Sequence, residues 1–190
     1  MAKKKKICAG CGVHPMPGPE WINVDKYDTK HQNALYDLEM TPWPWADNSI
    51  DEMLWNHSME HVGQDPKVFL KIMQEIYRVC CDGAIIHVNA PHIRHDEYWG
   101  DPTHCRPISA DMFVLFSKKA NQIFRDNNGA NSCFAFLLGV DFEVVANELV
   151  LDERFAYLKD DPSWQRLATV QNNVIREIKL RIKVIKEDAD

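Results

Sequence analysis

Two stretches of the chain carry residue types suited to chemistry. The first runs from Lys6 to Asp25: Lys-Ile-Cys-Ala-Gly-Cys-Gly, a Pro-rich bend, then Trp-Ile-Asn-Val-Asp. An apolar strand enters a turn with Gly10 and Gly12, and a second apolar strand ends on Asp25. Glycine lets main chain approach a ligand closely. An acid at the tip of the neighbouring strand of an open α/β sheet is well placed to bind ribose hydroxyls. Either feature alone would be a tight turn or a strand-end cap; together they point to a nucleoside-bearing cofactor. The motif's third glycine position, three residues after Gly12, is Pro15, and Pro15, Pro17 and Pro19 keep a long helix from starting there. A dinucleotide site needs Gly-x-Gly-x-x-Gly opening a helix whose N-terminus holds pyrophosphate. A nicotinamide dinucleotide is therefore disfavoured, and a phosphate-free nucleoside fits better.

The second stretch, Pro91 to Pro107, gathers His92, Arg94, His95, Asp96, Glu97, Asp101, His104 and Arg106. It follows a strongly apolar strand pattern, and ligands of such sheets bind outside the carboxyl ends of the strands. Histidine titrates near neutral pH and can take a proton from an acceptor. His104 and His92 are the candidate bases, with Asp101 to orient one of them; the plainer alternative is that Asp101-Pro-Thr-His104 caps a turn. Two groups have zinc-type ligands: His92-x-x-His95 with His104 and Cys105, and Cys8-x-x-Cys11 with His14. Neither has the paired-cysteine repeat of a structural zinc site, and no metal is expected. Trp43 and Trp45 are expected to pack a loop over the core, and Glu60-His61 to end a turn near the cofactor rim.

These residues need a scaffold. Lys5–Ala9, Trp21–Asp25, Ala34–Asp37, Ile50–Asn56, Ala84–Ala90 and Glu143–Val150 read as strands. Asp65 is a good N-cap with Pro66 at the first helical position. Phe69, Ile72, Met73, Ile76 and Val79 then recur with helical spacing, and Gly83 is a plausible stop. A second helix is expected over Asp111–Phe124. From Val174 to Val184 apolar and charged residues alternate with period two, the mark of a half-exposed, antiparallel strand near a sheet edge. The expectation is an α/β fold: a mostly parallel sheet with one antiparallel strand, and helices packed on it.

The 190 residues suit a single domain spanning 1–190, with a basic tail over residues 1–5. At 45% apolar the chain can bury a core. Its net charge of −6, from 22 basic and 28 acidic residues, argues against non-specific nucleic-acid binding. No stretch approaches the roughly 20 apolar residues needed to cross a bilayer, and no signal-peptide core is seen. A cytoplasmic location with reduced thiols is expected, and the six cysteines show no disulfide framework. Oligomeric state is not legible.

With these residues in view, the sequence resembles the class I S-adenosylmethionine-dependent methyltransferases, in particular short type 11-like members. The matching text is Ile7-Cys-Ala-Gly-Cys-Gly12, Trp21-Ile-Asn-Val-Asp25, Asp37-Leu38, Asp47-Asn-Ser-Ile-Asp51-Glu52, Glu60-His61, Glu75-Ile-Tyr-Arg-Val79 and Gly83. It continues through Asn89-Ala-Pro-His92 and Asp101-Pro-Thr-His104-Cys-Arg106, so it spans nearly the whole chain. The resemblance implies a Rossmann-like fold with S-adenosylmethionine as cofactor. It implies that Gly10 and Gly12 line the methionine part, that Asp25 binds the ribose hydroxyls and that Asp37 with Leu38 faces the adenine. Asn56 and His57 would sit near the transferable methyl. The expected reaction is methyl transfer to a small molecule or saccharide. The chain departs from the pattern at Cys8, where the family often has an acid, and between Val13 and Glu20, which leaves room only for a shortened first helix. Both departures favour the alternative, a methyltransferase-like binding module without catalysis.

Overall fold

The computed structural model describes residues 5–186. Seven strands form one sheet: β1 (Lys5–Ala9), β2 (Trp21–Asp25), β3 (Ala34–Leu35), β4 (Ile50–Asn56), β5 (Cys80–Pro91), β6 (Phe142–Leu151) and β7 (Ile175–Val184). Their spatial order is β3-β2-β1-β4-β5-β7-β6. β7 runs antiparallel to both β5 and β6, and the remaining pairings are parallel. The period-two pattern at the C-terminus thus marks the one reversed strand, second from the sheet edge. Of the basic tail expected over residues 1–5, residues 1–4 lie outside the described residues, and Lys5 opens β1.

The order reverses direction at β1, because the chain steps outward from β1 to β3 and then returns to place β4 on the other side of β1. Such a switch point opens a crevice at the carboxyl ends of the strands. Helix α1 (Pro66–Val79) covers one sheet face. The Asp65 side chain accepts from the Lys67 N–H at 2.8 Å, and Phe69, Ile72, Met73, Ile76 and Val79 are all buried against Ile7, Val24, Met53, Trp55, Ile86 and Val88. Glu75 and Arg78 of α1 fasten the Trp43–Asp47 loop over this core. Glu75 accepts from the Trp43 N–H at 2.5 Å, and Arg78 donates to the carbonyls of Trp43 and Trp45 and to Asp47.

Four expectations about elements change. The helix ends at Val79, not at Gly83; Gly83 sits at φ +74° inside β5, where the pairing with β4 slips. The strand over Ala34–Asp37 stops at Leu35, and Asp37 turns to accept the Glu39 N–H. The single helix over Asp111–Phe124 is two, α3 (Ala110–Val114) and α4 (Lys118–Asp126), each opened by a serine cap, Ser109 and Ser117. Between β5 and α3 lies a further short helix, α2 (Asp96–Gly100).

The fourth change is larger. No described residue between Gly10 and Ser49 is helical, so the shortened first helix is not there at all. Prolines at every second position from 15 to 19 remove the donors a helix would need. The sheet face away from α1 therefore stays open to water. Along it lie Lys6, Glu52, His87, Asn89, Lys179, Arg181 and Lys183, half-buried or exposed. Lys6 pairs with Glu52 at 2.6 Å, and His87 lies 3.4 Å from the same carboxylate. Among the described residues, the buried apolar cluster on that side is small, Cys8, Cys11 and Trp21. No described helix is long and apolar enough to cross a membrane.

Candidate functional site

The crevice at the switch point is a cleft of about 200 Å³ lined by Gly10, Asp25, Lys26, Tyr27, Tyr36, Asp37, Leu38, Trp55, His57, Ser58, His61 and Val62. Each wall is a strand tip or the turn after one. Gly10 leaves β1 at φ +66°, and a Cβ on it would stand 2.7 Å from the Ser58 Cβ. Ser58 in turn donates to the Ala9 carbonyl at 2.7 Å, so the turns after β1 and β4 are locked together and only glycine fits between them.

Asp25, almost fully buried at the end of β2, accepts the Gly12 N–H on Oδ2 at 2.8 Å and the Tyr27 N–H on Oδ1 at 2.9 Å. A carboxylate has about four acceptor positions, so two backbone donors leave capacity for a pair of vicinal hydroxyls. Asp37 keeps Oδ2 available beside Leu38 and Tyr36, an apolar wall with a polar edge. Trp55 is fully buried, and its indole N–H has no partner among the described residues. His57 stands at φ +52°, an uncommon conformation for a non-glycine residue and one that clusters at functional positions. Its Nε2 meets Glu177 Oε1 at 3.2 Å.

The sequence-derived residues divide accordingly. Gly10, Asp25, Asp37, Leu38 and His57 line one cleft. Gly12 does not line it, but its N–H holds the Asp25 carboxylate. Asn56 is turned to Asn89, whose amide donates to it at 2.8 Å. His92 lies in a separate groove with Arg94, Leu149 and Trp164, and burial lowers its pKa. Asp101 is spent on its own turn: it accepts from the Thr103 N–H and hydroxyl at 2.8 and 2.6 Å, which lowers its carboxyl. His104 is close to the cleft wall, with Nδ1 at 2.6 Å from the Tyr98 carbonyl and its ring 4.6 Å from that of His61.

The two zinc-type sequence groups do not assemble. His95 is buried in a structural role: Nδ1 accepts the Glu97 N–H to cap the Asp96–Gly100 helix, and Nε2 bonds Asp152 at 3.0 Å. Burial pushes the Cys8 thiol up to about 11, far from thiolate ligand behaviour. The group missed from sequence is Glu60, reduced there to a turn. It is fully buried, both carboxylate oxygens lack a hydrogen-bond partner among the described residues, and burial raises its pKa. Its signal was an acid next to a histidine just past a strand tip.

No family model matches the sequence, and no curated protein does. Solved structures do. A SAM-dependent methyltransferase from Archaeoglobus fulgidus is similar at 15% identity, covering 96% of this chain and 86% of its own, with a TM-score of 0.61. One from Methanosarcina mazei gives 11% identity, 98% and 95% coverage and a TM-score of 0.51. The cyclase SpnF gives 13%, 97% and 75%, with a TM-score of 0.54. The chain has the Rossmann-like fold of the class I S-adenosylmethionine-dependent methyltransferases.

Proposed function

We infer that the cleft binds S-adenosylmethionine and that the chain transfers its methyl group to a small hydroxyl- or amine-bearing acceptor, saccharides included. One observation carries this reading: a buried carboxylate with spare acceptor capacity, Asp25, shares a single cleft with the glycine turn of the adjoining strand. The residues fit the adenosyl group. Asp25 would take the ribose hydroxyls, while Asp37 would accept from the adenine amine and Leu38 and Tyr36 would flank its ring. Gly10 would give the methionine part access to bare main chain.

When bound, the sulfonium supplies an electrophilic methyl group. The chain's own contribution is chiefly to hold donor and acceptor in line, a proximity effect. His57 and His61 are the cleft histidines and stand where an acceptor would enter. Burial, and then His104 beside it, lower the pKa of His61 and favour its neutral ring. The net charge of −6 supports a small acceptor over nucleic acid. Six unpaired cysteines agree with a reducing, cytoplasmic setting.

One similar structure is a cyclase, and a fold hosts more than one chemistry, so cofactor binding is the step to test first. Calorimetry with S-adenosylmethionine and S-adenosylhomocysteine should show one site per chain. Binding of neither at millimolar concentration would leave the second reading, a methyltransferase-like binding module, favoured by the absent first helix and by Cys8.

A further inference from the structure

Glu60, His61 and His104 bring one ligand atom each to within 4.8 Å of one another. They meet because the turn after β4 and the loop after β5 are stapled together: the Glu60 carbonyl accepts the N–H groups of Cys105 at 2.9 Å and Arg106 at 3.2 Å. Each histidine has one nitrogen already committed. A carbonyl can only accept, so His104 Nδ1 carries the proton donated to Tyr98, and in the neutral ring Nε2 holds the lone pair. That Nε2 lies 4.0 Å from Glu60 Oε1, too far for a hydrogen bond. The Thr103 hydroxyl donates its only proton to Asp101, so it must accept from His61 Nδ1 at 2.8 Å, which frees His61 Nε2 as well.

Two imidazole lone pairs thus accompany a fully buried carboxylate whose oxygens have no well-formed hydrogen bond among the described residues. Taking such a carboxylate out of water is costly unless a cation or proton compensates it. We propose that Glu60, His61 and His104 form a binding site for a divalent transition-metal ion, of which zinc is the best fitting, at the wall of the cleft.

The donor set of two histidines and one carboxylate is that of zinc sites that keep a fourth position open. The second layer is in place: the Tyr98 carbonyl on one ring, and the Thr103–Asp101 pair on the other, fix which nitrogen faces the ion. Ligands about 2.1 Å from zinc stand roughly 3.5 Å apart, so ligand atoms already within 4.8 Å of one another need only a small inward movement. His57 Nδ1, 3.8 Å from the same Glu60 oxygen, is a further donor on the cleft side. His61 belongs to both the cluster and the cleft, so the open position would face the acceptor's entry and hold its oxygen or nitrogen. That role rests on the methyltransferase reading; the ion's binding does not.

The test uses the full chain, purified without a nickel column, stripped with EDTA and titrated with zinc and cobalt(II), with magnesium as an oxygen-preferring control. One zinc per chain at micromolar affinity and visible cobalt absorption are expected, with little magnesium uptake. Glu60→Gln and His104→Ala should each weaken zinc binding roughly tenfold or more, and Thr103→Val about tenfold through His61. His92→Ala should not. Far-UV circular dichroism confirms that each variant is folded, and Glu60→Gln, being isosteric, is the one least able to disturb the fold. No stoichiometric uptake, or uptake unchanged in both Glu60→Gln and His104→Ala, would overturn the site. These readings need no S-adenosylmethionine, so a failed cofactor titration alongside intact zinc binding would sink the methyltransferase reading alone.

Discussion

Asp25 holds its own turn in place before any ligand arrives, because each of its oxygens takes one backbone N–H. Asp25→Ala should therefore weaken S-adenosylmethionine binding by about 1–3 kcal/mol, the scale of hydrogen bonds to a charged group. Calorimetry that returns the wild-type affinity would remove Asp25 from the site. Gly10 makes a different demand. At φ +66° and 2.7 Å from Ser58, a Cβ strains both the backbone and its neighbour, so Gly10→Ala should cost about 1–3 kcal/mol in urea denaturation. Equal stability would mean that the turn relaxes freely. Both residues were legible because their chemistry follows from position on consecutive strand tips. Glu60 was not. Its partner His104 lies more than forty residues away, and only the stapling of two loops shows that a turn acid is buried and unpartnered.

Among the elements, α1 was readable to the residue at its start, since Asp65, Pro66 and the apolar spacing all say the same thing. Its end was not, because the chain passes straight from helix to strand at Cys80 without a glycine stop. The break between α3 and α4 was written in Ser117, a cap hidden inside an apolar-rich run. Helix α1 also makes a pH prediction. Hydrogen bonds from Arg78 hold the Glu75 carboxyl below the ordinary glutamate range. A depressed carboxyl adds stability above its unfolded pKa and loses it as pH falls through the folded value. Glu75→Gln should cost about 1–3 kcal/mol at neutral pH, and the gap from wild type should shrink in acid below about pH 4. A gap that stays constant with pH would mean that the loop is held by packing of Trp43 instead.

For the molecule as a whole, the strands and the one reversed direction were recoverable in outline because apolar runs and one alternating run differ in period, whereas the spatial order of the strands was not. The missing helices were partly visible: the prolines after Gly12 forbid a long helix there, and Pro42 and Pro44 break the run between β2 and β4. A ligand that binds only the folded chain stabilises it by mass action, about 2.7 kcal/mol at a hundredfold excess over Kd. S-adenosylhomocysteine should raise the melting temperature accordingly, and Asp25→Ala should blunt the rise.

The uncovered sheet face has a thermal consequence. Side chains such as His87, Asn89 and Arg181 are already hydrated in the native state, so melting exposes less new apolar area than in a sheet sandwiched between two helical layers. Scanning calorimetry should give a heat-capacity increment per residue under the roughly 12–15 cal/mol/K usual for globular proteins. A smaller increment flattens the stability curve, and this protein should keep its native form further into the cold than its size alone would suggest.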